Sequence, residues 1–412
     1  MTSIDDIRKQ AERREERKTA AEAQGVSPAT AIDVADDLGV EGLVETNPVD
    51  VTAVDRSDQS YRRLMFRRFR RSISGMIGLV LVSLLFFVSV FAYFFAPVDP
   101  KASYLAFSPP DAVSFTSRDG GFSLRPRVYP TIETGELDPI TFQPLTGPDY
   151  ENPIDLGFFV RGFPYRIFGL IPSDIHFFGA VDGRPVHFLG TDKLGRDILS
   201  RAIVGSRISL FIAVIVVTIT TVVGTTVGIS SGYFGGRIDT WVQRFVEIVL
   251  AFPQLPLYLA LTTLIPITAP SNVFIAFVIA VLAALGWAQL SREVRGKSLA
   301  LARIEYVRAA MAVGAGDGRI IFRHILPNVL SHVIVAVTIA IPTVVLLESF
   351  LGFLGFAVKP PLISWGLMLQ DTGTFSVIGS YPWILSPVAF VLVTVFAFNA
   401  LGDGLRDAVD PY

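Results

Sequence analysis

The chain has 412 residues, of which 51% are hydrophobic and only 17% are charged, with a formal net charge of -2. Soluble domains usually carry about a quarter charged residues, so this composition indicates a membrane protein. Cysteine is absent, which excludes disulfides, thiol chemistry and cysteine-ligated metals. The four histidines lack the spacing of a metal site, so no metal ligands are predicted among His176, His187, His324 and His332.

The first 60 residues are polar and charged, and Asp33–Asp58 is acidic and poor in aromatic residues. This composition predicts a cytoplasmic tail, largely disordered, without a cleavable signal peptide. A basic segment and the first span follow in residues 61–96. Six arginines between Arg62 and Arg71 are interleaved with apolar residues, which favours anionic headgroups as their partner. Nucleic-acid binding is the alternative, and it is disfavoured because an apolar run follows at once.

Six apolar runs are long enough to cross roughly 30 Å of hydrocarbon. An extracytoplasmic insert is predicted at 97–206, and the other five spans lie in 207–412. The predicted fold class is an all-α polytopic membrane protein with an extramembrane insert between helices 1 and 2. The predicted spans are Ile73–Phe95, Ser209–Ser230, Phe245–Ile267, Val273–Leu290, Val329–Phe356 and Trp383–Leu401.

The lysines and arginines of the short connections predict the orientation of these spans. The loop 292–327 alone contains seven of them, and the connection Pro266–Asn272 contains none. Because cytoplasmic loops carry the excess of positive charge, the basic loop and both termini are expected in the cytoplasm. The predicted location is the cytoplasmic, or inner, membrane.

The loop 292–327 also has an internal pattern. Its first part has an apolar face with helical spacing, formed by Ile304, Val307, Ala310 and Met311. Glycines at positions 314, 316 and 318 then break the helix. Asp317 is placed to cap a second helix, Arg319–Leu326, and Pro327 is expected to stop it. We predict a helix–turn–helix element that packs on a partner, with an ordinary loop on the headgroups as the alternative.

The pattern Ala309-Ala310-x3-Gly314, followed by Leu326-Pro327, resembles the coupling loop of permease subunits in binding-protein-dependent ABC importers. Arg308 stands where that family usually has a glutamate, and His324 where isoleucine is common. In the family this loop binds in a groove of the ATP-hydrolysing subunit. The resemblance therefore implies contact with such a subunit for Glu305, Arg308, Ala309, Ala310, Gly314, Asp317, Leu326 and Pro327.

A second stretch precedes the second predicted span and forms a polar, capped turn whose charged residues pair locally. It is similar to the C-type permease of dipeptide and oligopeptide importers. The residues of this signature are Gly190, Thr191, Asp192, Gly195, Arg196 and Asp197. The resemblance implies half of a translocation pathway for di- or oligopeptides, although the family also moves nickel chelates, opines and some oligosaccharides.

The resemblance also implies partners: a second homologous permease, one or two ATP-binding subunits, an extracytoplasmic solute-binding protein and membrane lipids, but no nucleic acid. This chain has no nucleotide-binding motif, because Ser291 stands where a phosphate-binding loop ending in Lys297-Ser298 needs glycine. We therefore expect no cofactor here, with ATP and Mg on the partner subunits. The chain is expected to be a transport subunit rather than an enzyme.

Few polar residues lie in the predicted spans. Glu348 needs a partner or a water-filled cavity, and a structural hydrogen bond is favoured over a role in the substrate pathway. Trp365, Gln370 and Asp371 are expected to face the outer mouth of that pathway. A self-sufficient secondary transporter or channel is the alternative function, disfavoured because no relay of intramembrane carboxylates is visible. A membrane-embedded enzyme is disfavoured because no nucleophile–base pair is found.

Overall fold

The structure is a computed structural model that describes residues 61–116, 122–137, 139, 144–266, 268–356 and 358–409. The chain divides into two units, Met1–Arg63 and Leu64–Tyr412. The predicted tail at 1–60 lies outside the described residues, so only the last three residues of the first unit are described.

The described ranges contain thirteen α-helices and six β-strands. The helices are α1 Tyr61–Phe69, α2 Ile73–Val90, α3 Ala92–Phe95, α4 Ile198–Phe234, α5 Gly236–Ala251, α6 Gln254–Thr262, α7 Ser271–Leu301, α8 Glu305–Ala312, α9 Asp317–Ile320, α10 Leu326–Phe353, α11 Trp365–Leu369, α12 Phe375–Ser380 and α13 Ser386–Val409. The strands are β1 Ala112–Thr116, β2 Phe122–Tyr129, β3 Thr131–Leu137, β4 Pro144–Pro148, β5 Ile154–Ile167 and β6 Ile171–Ala180.

Within the described ranges, five helical segments are long and apolar enough to cross a membrane: α2, α4, α7, the continuous segment Asp317–Phe353, and Pro382–Val409. A sixth crossing exists if α5 and α6 form one span, but these helices meet at 81°. Pro253 precedes α6 and has no N–H to continue the helical ladder, which explains the break. The predicted third span is therefore broken rather than straight.

The spanning helices pack around one large apolar core to which α2, α4, α6, α7, α10 and α13 all contribute. Glycines on α4 allow close contact with α7. A Cβ atom built on Gly224, Gly228 or Gly232 would lie between 2.6 and 2.8 Å from a backbone oxygen of α7. Because only glycine fits at this spacing, α4 and α7 pack as the small-residue pattern of membrane helices predicts.

The insert contains most of the described β structure and corrects the all-α prediction. Its strands form an antiparallel sheet in the order β1-β2-β5-β6, with β3 and β4 as a separate pair. The longest pairing is the β5–β6 hairpin, from Leu156 opposite Ala180 to Ile167 opposite Ile171. The all-α description holds for the spanning region only, since aromatic and β-branched residues such as those of β5 favour strands.

Pro327 does not stop a helix, contrary to the sequence prediction. Residues Ile321–Ile325 form a π-helical turn that joins α9 to α10, and Pro327 lies in the first turn of α10. The N–H of Leu326 bonds to the carbonyl of Ile321, five residues earlier. This wider turn relieves the clash that a proline ring makes with the preceding turn of an α-helix. The fifth span is thus continuous from Asp317 to Phe353.

Candidate functional site

The inner side of helix α8 is anchored in a small apolar cluster. Val307 is fully buried and is the one buried residue of this helix. Its cluster draws on four other helices and on the π-helical turn, through Ile229, Val294, Ile320, Ile325, Val329 and Val333. Burying a valine side chain contributes about 1.5–3 kcal/mol. The predicted apolar face is confirmed in its centre, while Ile304 and Met311, at its edges, are 41% exposed each.

The turn after α8 depends on one glycine. Gly314 has a φ of +80°, the left-handed region that side chains rarely adopt. The N–H of Gly314 bonds to the Met311 carbonyl at 2.9 Å, and the N–H of Ala315 bonds to the Ala310 carbonyl at 3.0 Å. Gly316 and Gly318 have ordinary φ values and open space around them. Nothing in the described chain therefore requires glycine at these two positions.

The prediction that Asp317 caps the second helix is wrong, because α9 begins at Asp317 itself. Asp317 is its first residue, Gly316 occupies the cap position, and no side chain caps the helix. The Asp317 carboxylate instead accepts a hydrogen bond of 2.7 Å from the hydroxyl of Tyr233, at the end of α4. Sequence reasoning missed Tyr233, which lies 84 residues from Asp317 in the chain. This contact joins the loop to α4.

An ion pair joins α5 to the end of α7, at the start of the loop 292–327. Asp239, on α5, accepts two hydrogen bonds of 2.6 Å from the guanidinium of Arg295, on α7. The hydroxyl of Ser231 donates to the same carboxylate. Paired hydrogen bonds to a carboxylate fix arginine in direction as well as distance. The basic residues of this segment are therefore not all free charges, and Arg295 fixes α7 to α5.

The outer side of the element is exposed and consists of small and apolar residues. We call Ala309, Met311, Val313, Gly316 and Gly318 the coupling surface. Val313 is 86% exposed, and the other four members are exposed as well. Glu305 and Arg308 lie exposed beside it, while Leu326 and Ala310 are half-buried and Pro327 is exposed. The structure thus brings the predicted loop residues into one element but divides them between an outer and an inner side.

The signature before α4 forms the polar, capped turn that the sequence predicts. Asp197 caps α4 by accepting from the Ser200 N–H at 2.7 Å, and it also bonds to His187. Asp192 accepts 2.7 Å hydrogen bonds from the Arg196 side chain. Gly190 and Gly195 both have positive φ, and Thr191 is fully buried.

A tyrosine that is 38% exposed lies against this turn. The N–H of Tyr104 bonds to the carbonyl of Gly195 at 2.8 Å, and its ring packs on His187. Burial raises the pKa of the Tyr104 phenol, and the carboxylates of Asp99 and Asp197 add to that shift. The turn therefore serves to hold the start of α4 against the insert.

Glu348 and Trp365 lie side by side and are fully buried. The hydroxyl of Ser209, on α4, donates to a Glu348 carboxylate oxygen at 3.0 Å. The same hydroxyl accepts a hydrogen bond of 3.1 Å from the backbone N–H of Trp365. This is the structural hydrogen bond that the sequence favours for Glu348. Gln370 is exposed, and Asp371 pairs with Lys193 at 2.8 Å. A role of these four residues in the substrate pathway stays a prediction.

Two family models match the chain. Residues 60–110 match the N-terminal TM domain of oligopeptide transport permease C, and residues 224–412 match the binding-protein-dependent transport system inner membrane component. The chain is 41% identical over 233 residues to the oligopeptide transport system permease protein OppC of Escherichia coli (strain K12), covering 56% of this chain and 74% of that protein. The chain belongs to this permease family.

Two permeases of Bacillus subtilis agree with this assignment. The oligopeptide transport system permease protein OppC of Bacillus subtilis (strain 168) is 40% identical over 226 residues, covering 55% of this chain and 72% of that protein. The dipeptide transport system permease protein DppC of the same organism is 39% identical, covering 55% and 68%. Among solved structures, a chain of the MetNI methionine ABC transporter can be superposed over 52% of this chain and 98% of the MetNI chain. The identity is 19% and the TM-score is 0.40.

As a permease of this family, the chain is a transport subunit of the inner membrane that works with other components of a binding-protein-dependent system. The two matched ranges leave out residues 111–223. That gap includes all six described strands and the signature before α4, so neither model extends over the strands of the insert, and residues 1–59 also lie outside both ranges.

Proposed function

We propose that this permease forms half of a translocation pathway for di- or oligopeptides, and that an ATP-hydrolysing partner drives it by binding the coupling surface. ATP and Mg are held by that partner. A second homologous permease completes the pathway, and a solute-binding protein delivers the peptide. The substrate class follows from the names of the relatives, which include oligopeptide, dipeptide and glutathione permeases.

The observation that carries the proposal is the division of the loop into a locked inner side and an open outer side. Val307 fixes α8 in its cluster, whereas Val313, four residues after Ala309, is 86% exposed. Exposed small residues permit another backbone to approach closely, and exposed apolar residues gain free energy when a partner covers them. Such a surface suits a protein partner better than water.

One continuous helical segment, Asp317–Phe353, leads from this surface into the membrane. The second helix of the element continues through the π-helical turn into α10, and Glu348 on α10 bonds to Ser209 on α4. A displacement at the coupling surface is therefore carried by one continuous helix to the contact between α10 and α4. We propose that ATP-driven movement of the partner reaches the pathway through this helix.

The orientation belongs to the same proposal. The excess of lysine and arginine in the loop 292–327 supports a cytoplasmic position for this loop. Both termini lie on the same side as the loop when α5 and α6 together form one crossing. A single crossing separates α1 from the insert, because α2 is the one candidate span between them. The sheet of the insert is then extracytoplasmic, on the side from which a binding protein delivers its solute.

The test uses the assembled transporter in proteoliposomes with a labelled tripeptide. Val313→Arg places a charge on the coupling surface and is expected to weaken co-purification of the ATP-binding subunit about tenfold or more, which corresponds to about 1.4 kcal/mol. ATP-driven uptake should fall with it. Val313→Thr is the matched control, since it keeps the side-chain shape and should retain most of the association.

A second control separates docking from folding. Tyr150→Arg changes a residue of the insert that is 72% exposed, and it should leave association and uptake unchanged. If Val313→Arg inserts normally and still binds the ATPase with full ATP-driven uptake, the coupling surface is not the docking site. Uptake by this chain alone, without ATP or partners, would instead support the secondary-transporter alternative.

A further inference from the structure

The β5–β6 hairpin ends beside the end of the first span. We call its exposed residues Phe168, Leu170 and Ile171 the hairpin tip. The Phe168 ring lies 5.7 Å from the ring of Phe91, which directly follows α2. The insert therefore does not extend only away from the helices, because its longest hairpin reaches the level at which α2 ends.

The hairpin tip is strongly apolar and uncovered. Phe168 is 64% exposed, Leu170 is 79% exposed and Ile171 is 61% exposed. Two further phenylalanines on the hairpin, Phe158 and Phe159, are 72% and 67% exposed. Isolated exposed apolar residues are ordinary on protein surfaces, but a contiguous group of this kind marks an interaction surface.

This group continues an apolar stripe of α2. Five of the exposed apolar residues of that helix recur three or four positions apart, so that they lie on one side of it, namely Ile77, Val80, Leu84, Phe87 and Val90. The stripe leads through Phe87 to Phe91, whose rings are 5.1 Å apart, and from Phe91 to the hairpin tip. One apolar surface therefore runs from the middle of a membrane span onto the insert.

The hairpin is held in this position by buried contacts. His176, on β6, is fully buried. One of its ring nitrogens lies 2.9 Å from the Tyr93 carbonyl of α3, and the other lies 3.0 Å from the Phe163 carbonyl of β5. Phe94 and Phe95 also contact the ring of Phe177. The exposed tip is thus fixed relative to α2.

Two cations lie beside the apolar tip. Arg166 and Arg207 are exposed and line the small cavity between the tip and the end of α2. The Arg207 guanidinium also lies 5.4 Å from the centre of the Tyr93 ring. Aromatic residues at the end of a span are typical of the boundary between headgroups and acyl chains. Arginines beside them can place their charged groups among the headgroups.

We propose that the hairpin tip inserts into the lipid bilayer at the headgroup–acyl boundary beside the end of α2, so that the insert is fixed to the membrane surface. The bulky side chains and their continuity with the α2 stripe favour lipid over a protein partner. Glycine and alanine, which allow close backbone contact between proteins, are not exposed at the tip apart from Gly169 in the turn itself.

Because this chain has no cysteine, a single spin label can be attached to each purified permease variant before it is assembled with its partners. We would label Leu170→Cys, Phe168→Cys, Val80→Cys and Tyr150→Cys in the assembled transporter, in phospholipid nanodiscs. Each label is then tested for collisions with oxygen, which concentrates in lipid, and with a water-soluble nickel chelate. Val80 on the α2 stripe is the lipid reference, and Tyr150, exposed on the insert, is the water reference.

We expect labels at 168 and 170 to match the label at 80, with an oxygen-to-nickel collision ratio several-fold above that at 150. Both residues are exposed, so these substitutions leave the fold intact, and thermal unfolding of each variant checks this. A ratio at 170 equal to that at 150 would place the tip in water and overturn the proposal. Protection from both reagents would also overturn it, because a protein partner would then cover the tip.

Discussion

The coupling surface and the hairpin tip are both exposed and apolar, yet they differ in the size of their side chains. Around Val313 the coupling surface contains an alanine, two glycines and one longer side chain, Met311, and the inner side of α8 is fixed by Val307. The hairpin tip carries phenylalanine, leucine and isoleucine. Small side chains let a second backbone approach closely, whereas bulky ones fill a fluid environment that adapts to their shape.

The difference also concerns what each surface is connected to. The coupling surface continues through Asp317–Phe353 into the helical core. The hairpin tip contacts the end of α2 through Phe91 and is held by His176. A force applied at the first surface therefore reaches α10, while the second is suited to holding a domain in place. Exposed apolar area alone does not distinguish these roles; residue size and connection do.

The largest effect is expected at Val307, which fixes α8 in its apolar cluster. Val307→Asp introduces a charge at a fully buried position, which costs roughly 3–5 kcal/mol when no partner is present. Helix α8 should detach from its cluster, and limited trypsin digestion of the solubilised protein should cut faster at Arg303, Arg308 and Arg319. Binding of the ATPase should be lost with it.

The matched change at the other surface is Phe168→Asp. Because Phe168 is 64% exposed, this variant should digest at the wild-type rate within the coupling element. If both variants digest alike, the coupling element is not locked by Val307, and the proposed contrast between the two surfaces fails.

A smaller effect is expected at the far end of α10. Glu348→Ala leaves the hydroxyl of Ser209 without its acceptor, at a cost of about 1–3 kcal/mol in the free energy of unfolding. Thermal unfolding of the solubilised protein measures this loss. Glu348→Gln keeps the shape and an acceptor oxygen, so it should be close to wild type.

The same pair of variants examines the connection to the core. Glu348→Ala should retain binding of the ATP-binding subunit, since the coupling surface is unchanged, but should transport fewer peptides per ATP hydrolysed. An unchanged ratio of transport to hydrolysis would show that the contact between α10 and α4 plays no part in coupling.

The smallest effect distinguishes two glycines of the same turn. Gly314→Ala forces a side chain into the left-handed region and should cost about 1–2 kcal/mol. Gly316→Ala meets no atom within 4 Å and has an ordinary φ, so the isolated permease should unfold at the wild-type temperature. In the assembled complex, Gly316→Ala should weaken ATPase association if a partner backbone lies against it, and equal association would argue for a looser contact there.

The sequence by itself determined the membrane class, the family and the approximate positions of the spans, although α4, α7 and the segment Asp317–Phe353 extend well beyond their predicted ends. Long apolar runs carry this information because each must satisfy its backbone hydrogen bonds internally and so becomes a helix. The loop pattern around Ala309 and Gly314 likewise predicted a helix followed by a turn, because a glycine with positive φ ends helices.

Only the tertiary structure decided the rest. Pro327 predicted a helix end, but a π-helical turn accommodates it and the fifth span begins at Asp317. Asp317 was expected to cap a helix, but Tyr233, 84 residues away in sequence, binds it instead. The partner of Glu348 and the approach of the hairpin to Phe91 also join distant residues. Local patterns cannot supply such contacts, because they arise from the packing of elements that are far apart in the chain.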